Sequence, residues 1–237
     1  MRYLVLAITL ILGSLSASSQ HTGYSFKFGP TVGVQQFNNF DQGPLYGFHA
    51  DLQVENISET DPRTLYASVG YHRRGSANRI SFVPLSGGAR RQSTTKFIFN
   101  NIALIAGGKQ LYALQNLQAH VSLALRGEVN VNLTNKIDDV ELENNSLLLL
   151  SFPQDEFVNR FIYGIDVGAG IDFPLSPTLD GLLEVRVSPD FSRQYFQPAF
   201  IGFDPFTGNN DRVFAERRIN NISFELSFGI RFIQYSE

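Results

Sequence analysis

Residues 117–133 alternate with period two: Leu117, Ala119, Val121, Leu123, Leu125, Val129, Val131 and Leu133 share one parity, and Gln118, His120, Ser122, Arg126, Glu128, Asn130 and Asn132 the other. Alternation of this kind predicts a strand with one apolar and one polar face. Its length is well beyond the five or six residues typical of soluble strands. The same pattern returns at 24–35, 46–55, 65–72, 161–173, 182–191 and 222–232. In 95–109, Phe97 and Phe99 set one parity while Ile102, Leu104 and Ala106 set the other. A bulge at Asn100 and Asn101 reconciles the two, because one extra residue flips the exposed face. Eight strands are thus expected.

The connections alternate in length. Residues 56–63, 110–116 and 174–180 read as short turns, whereas 75–94, 133–160 and 192–218 are long; 38–44 is compact. Short turns at one end and long loops at the other are the habit of an up-and-down transmembrane barrel. The predicted fold is all-β, an eight-stranded antiparallel up-and-down transmembrane barrel. A chain entering from the periplasmic side then places all three long loops outside.

Alternation alone does not say which parity faces inward, since a soluble barrel buries its apolar side. Composition of the two parities favours lipid outside. The polar parity carries charges of both signs, Lys27, Asp51, Glu55, Arg126, Glu128, Asp166, Asp172, Glu184, Arg186, Glu225 and Arg231. Eight strands leave a bore that side chains fill, so these are expected to form an internal ion-pair network. Glycines at 29, 33, 47, 70, 164, 168, 170 and 229 share that parity and leave room for long side chains. On the apolar parity, aromatic residues gather at strand ends. Tyr46, Phe48, Tyr71, Phe97, Phe99, Phe161 and Tyr163 are expected at the outer interface, and Phe26, Phe28, Phe173 and Phe232 at the periplasmic one.

Composition then removes other classes. With 19 Lys+Arg against 22 Asp+Glu there is no basic field for nucleic acid. The absence of cysteine excludes disulfides, thiolate metal sites and cysteine nucleophiles. Residues 1–19 combine Arg2, an apolar run and an exit of small residues, which predicts a cleaved signal peptide ahead of a single barrel domain, 20–237.

The run Gly168 to Leu175 (GAGIDFPL), the following Leu-Glu-Val-Arg at 183–186, the opening FKFGPTVGV and the closing NISFELSFGIRF resemble the PorT-like outer-membrane β-barrel domain family. The resemblance implies a barrel in the outer membrane of a Gram-negative bacterium, surrounded by outer-membrane lipids and delivered by the barrel-insertion machinery. It also implies an association, for one namesake, with protein secretion.

Candidate chemistry is sparse. His49 and His72 come opposite each other if their strands pair around residue 60, with Asp51 adjacent, a set that could hold zinc or copper. The expectation is that all three belong to the polar network and that the protein takes no metal and no cofactor. His120 and Ser122 have the His-x-Ser spacing of a lipid A deacylase, but their parity points into the lumen near the periplasmic end. The segment 203–214 is rich in Asp, Asn and Gly; turn chemistry explains it without calcium. No enzyme is expected. The reading is an anchoring barrel with a protein contact surface at 133–160 and 192–218; a component of a secretion or envelope-assembly complex, or an adhesion or ligand-binding barrel, are the alternatives.

Overall fold

The computed structural model describes residues 21–37, 42–58, 60–82, 91–138, 155–202, 208–209 and 211–235. The expected signal peptide lies outside the described residues, as do the larger part of 139–160 and residues 203–207. Eight long strands form the body: β1 (His21–Phe37), β2 (Gln42–Ile57), β3 (Arg63–Phe82), β4 (Arg91–Leu114), β5 (Leu117–Asp138), β6 (Phe161–Ser176), β7 (Leu179–Pro189) and, last in the chain, β11 (Arg217–Tyr235). Each pairs antiparallel with the next, and β11 closes on β1 from His21↔Tyr235 to Phe37↔Ile219. Closure leaves no free edge around the ring, which is the condition for a sheet to stand in hydrocarbon.

The side chains decide which face is which. Leu125 is 72% exposed on the outside, whereas Arg186 is 1% and Glu128 0% exposed inside. The barrel is inverted relative to a soluble one: its wall is Val, Leu, Ile, Phe and Tyr, and its core is ionic. A wall of that kind exposes far more contiguous apolar surface than a water-soluble monomer carries. This is the arrangement of a transmembrane barrel.

The strands outrun the expected boundaries. About ten tilted residues span a bilayer, yet β4 has 24 and β5 has 22. The β3–β4 ladder runs unbroken from Arg63↔Gln110 to Phe82↔Arg91, and β5 stays paired with β4 out to Asp138. Much of 75–94, and the start of 133–160, is therefore strand rather than loop. Backbone pairing continues after the apolar alternation ends, because beyond the lipid nothing requires an apolar face. The turns at the other end are tighter than expected, Gln115–Asn116 and Pro177–Thr178. Gln115 takes a φ of 42° to close the first of them. In 192–218 the chain is partly ordered: β8 (Tyr195–Gln197) pairs with β11, and β9 (Phe200–Gly202) pairs with β10 (Arg212–Phe214).

The bulge falls where the parity conflict placed it, but on the neighbouring strand. The register passes from Asn100↔Asn132 to Asn101↔Asn130, so the extra residue is Val131 of β5. β4 keeps one parity throughout: Phe97, Phe99, Asn101, Ala103 and Ile105 are all buried. Phe97 and Phe99 therefore point into the barrel mouth and not to the outer girdle. Beyond the bulge Leu133 turns inward to pack on them.

Candidate functional site

The lumen holds two ion-pair clusters, one toward each end. In the one nearer the long loops, Arg186 on β7 reaches Asp51 at 2.7 Å and Glu225 at 2.7 Å, with Asp166 at 3.6 Å. Arg126 on β5 holds Asp166 at 2.7 Å and Asp190 at 2.6 Å and also pairs closely with Glu128. Arg74 on β3 links Glu128 at 2.9 Å to Glu225 at 3.3 Å. His72 bridges the cluster, Nε2 to Asp51 and Nδ1 to Glu225, both at 2.9 Å. His72 thus ties Asp51 on β2 to Glu225 on β11 across the lumen.

The second cluster lies toward the short turns. Arg231 on β11 contacts Glu55 and Asp172 at 2.8 Å and Asp180 at 2.6 Å. Lys109 also binds Glu55, at 2.6 Å, and Lys27 binds Glu184 at 3.1 Å. His120 stands between Asp172 at 3.2 Å and Glu184 at 3.4 Å. Charges this deep are tolerated only when each has opposite charge and hydrogen bonds around it. Every carboxylate named here except Asp180 is shared between two or more basic side chains, which supplies both. Small positions on the same face make the space: a Cβ at Gly70 would fall on the Asp51 carboxylate, and one at Gly170 on the His120 ring.

The structure places Lys27, Asp51, Arg126, Glu128, Asp166, Glu184, Arg186, Glu225 and Arg231 inside, all buried. Sequence reasoning missed Arg74, Lys109 and Asp180, each lying at or next to an expected loop or turn. Parity would have found them: Arg74 follows His72, Asp180 precedes Leu182 and Glu184, and Lys109 continues the buried series of β4. His49 and His72 do pair across β2 and β3, with rings 5.7 Å apart. Protein groups engage both rings: His49 bonds Thr31 at 3.0 Å and Ser227 at 2.8 Å, while His72 faces two carboxylates. Zinc added to the refolded protein is expected to leave its thermal melting unchanged; a rise in melting temperature would restore the metal reading. His120 turns its nitrogens to Asp172 and Glu184 rather than to Ser122.

At the long-loop end the lumen meets an apolar cap. Phe97, Phe99, Tyr195 and Ile219 are buried together, with Leu133, Phe157 and Val158 packed around them. The Tyr195 hydroxyl donates to Gln197 Oε1 at 3.0 Å. The cap is held by strand pairing: Val158 bridges to Tyr195, and the Gln194 amide donates to the Ile219 carbonyl.

On the wall, Tyr46, Phe48, Phe161 and Tyr163 stand exposed toward the long-loop end, and Tyr71 lies half-buried against Phe48 at 5.6 Å. Phe26 and Phe28 stack at 5.9 Å, Phe232 is exposed, and Phe173 lies partly buried over Gly181. Phe28 and Phe228 pair across β1 and β11, so on that side aromatic residues run on between the two girdles.

No protein-family model and no curated protein matches the chain. Solved structures of similar shape include Neisserial surface protein A, at 13% identity over 90% of this chain and 97% of that one, TM-score 0.41. The attachment invasion locus protein Ail of Yersinia pestis is 10% identical over 90% and 99%, TM-score 0.39. The outer membrane protease OmpT of Escherichia coli is 10% identical over 91% and 97%, TM-score 0.42. The barrel assignment itself rests on the closed strand ring and its inverted faces.

Proposed function

We propose that this chain is a PorT-like barrel of a Gram-negative outer membrane, exported behind a cleaved signal peptide and inserted with its short turns in the periplasm. Its lumen is a structural core, and it serves as a non-catalytic anchor that presents the 133–160 and 192–218 regions outside as a protein contact surface. One observation carries this reading: the lumen is filled by mutually neutralising charges and capped by Phe97, Phe99, Tyr195 and Ile219. Side chains tied up in that way have no open face toward a substrate, and an eight-stranded bore is too narrow for a water channel. What can vary without disturbing the barrel is the long-loop end.

The test is a pull-down of the tagged protein from gently solubilised outer membranes, repeated with both 139–154 and 198–215 replaced by short turns. A stoichiometric partner that is lost with the loops is the expected result. A partner retained in full would move the contact to the wall or the short turns, as in a secretion or envelope-assembly complex, and would overturn the loop reading.

A further inference from the structure

Beneath the cap, β7 runs between β6 and β11, and two rows of inward-facing polar side chains cross the three strands. In the first row Ser188 stands opposite Ser223. The β6–β7 register, Val167↔Val187 and then Gly164↔Asp190, puts Asp166 on the other side of Ser188. In the second row the Asp190 amide donates to the Asn221 carbonyl at 3.0 Å. Asp166, Ser188, Asn221 and Ser223 are each at most 1% exposed. Yet Asp166 Oδ2, Asp190 Oδ2, the hydroxyls of Ser188 and Ser223 and both polar atoms of the Asn221 side chain are buried without a hydrogen bond. The nearby arginines hold the opposite oxygens of the two carboxylates. Arg126 takes Asp166 Oδ1 at 2.7 Å and Asp190 Oδ1 at 2.6 Å, and Arg74 lies 3.5 Å from the latter. Arg186 comes no nearer than 3.6 Å to Asp166 Oδ2.

A buried polar atom without a partner is destabilising, and five neighbouring oxygens in that condition point to one shared guest. All five are hard donors, two from carboxylates, one from an amide and two from hydroxyls. Charge agrees with a cation. Asp51, Glu128, Asp166, Asp190 and Glu225 outnumber Arg74, Arg126, Arg186 and His72, so this cluster stays negative whether or not the ring is charged. We infer that Asp166, Ser188, Asp190, Asn221 and Ser223 bind one calcium ion in the barrel mouth. Side chains opposed across neighbouring strands have Cβ atoms about 5 Å apart, which lets their oxygens meet around an ion with bonds of about 2.4 Å. Calcium accepts an irregular oxygen shell, whereas magnesium demands a near-ideal octahedron and gives up water reluctantly. No three His, Asp or Glu side chains form a metal group among the described residues; here two carboxylates are completed by neutral oxygens. The role of the ion is structural. β7 ends at Pro189 and the chain then crosses to β8, so the ion fastens the root of the 192–218 region to β6 and β11.

The test uses the refolded full-length mature barrel in neutral detergent micelles, stripped with chelator. Terbium serves as the probe for calcium, because it is excited through tyrosine and Tyr195 stands in the cap above the site. Wild type is expected to give tyrosine-sensitised terbium emission that calcium displaces, and to melt at a higher temperature in calcium than in chelator. Magnesium, and sodium at matched ionic strength, are expected to leave the melting unchanged. Asp190→Asn and Asn221→Ala are expected to lose both the emission and the calcium-dependent shift. Asp211→Asn, in the Asp- and Asn-rich outer segment, is expected to behave as wild type does. Heat-modifiable mobility on gels verifies folding; if Asp190→Asn does not fold, Asn221→Ala and Ser188→Ala/Ser223→Ala, which remove neutral groups, decide the matter. Absence of a calcium-dependent shift in wild type, or an equal shift in the folded variants, overturns the inference. So does an equal shift from magnesium or sodium, which would mark general screening of charge. Loss of terbium emission in Asp211→Asn alone would place the ion in the outer segment and overturn the site in the mouth.

Discussion

Arg186→Met is expected to destabilise the barrel by about 3–5 kcal/mol, the cost of removing one partner from a buried ion pair. Arg186 is the only cation within reach of both Asp51 Oδ2 and Glu225 Oε2 among the described contacts, and it also faces Asp166. Met fills much of the volume but leaves Asp51, Glu225 and Asp166 each one cation short in a buried site. Urea unfolding in micelles, followed by the loss of heat-modifiable mobility, measures the change. The double variant Arg186→Met/Glu225→Gln separates charge from shape. If uncompensated charge is the cause, the second substitution recovers part of the loss; if it adds a further loss of its own, the network argument fails.

The second large effect concerns the wall. Leu125→Arg is expected to cost about 2–4 kcal/mol when the barrel is unfolded from vesicles, the penalty for an arginine facing the middle of a bilayer. Leu125 is 72% exposed, pairs with Ala106 and Ile165, and touches none of the ionic core. On a wall facing water the same substitution would fall within about 0.5 kcal/mol of neutral. A neutral result in vesicles would therefore contradict the lipid-facing wall directly. Leu125→Ala serves as the control for lost side-chain area.

Much of this molecule was legible along the chain. Periodicity of two is a local property set by the alternation of side chains across a strand, so the strands, their order and the charged parity could be read from it. The His49 and His72 pairing could also be read, because a single hairpin sets its own register. The parity conflict in 95–109 pointed to the right level but the wrong cause: β4 keeps one face, Phe97 and Phe99 are apolar residues inside the mouth, and the extra residue is on β5.

Other features required the closed ring. Whether the apolar face looks in or out is symmetric in the alternation, and it was settled by the side chains enclosed when β11 met β1. Which strand carries the bulge was also hidden, because an extra residue on β4 or on β5 reconciles the same register; only the pairing of Asn101 with Asn130 assigns it to Val131 and turns Phe97 and Phe99 inward. The ion pairs join strands far apart in the chain, Lys27 with Glu184, Arg74 with Glu225, Arg231 with Glu55. The sequence by itself determined a sheet with one charged and one apolar face, because that follows from the two-residue repeat of a strand. The tertiary structure decided which charges meet, because contacts across a lumen depend on the tilt and stagger at which the strands close.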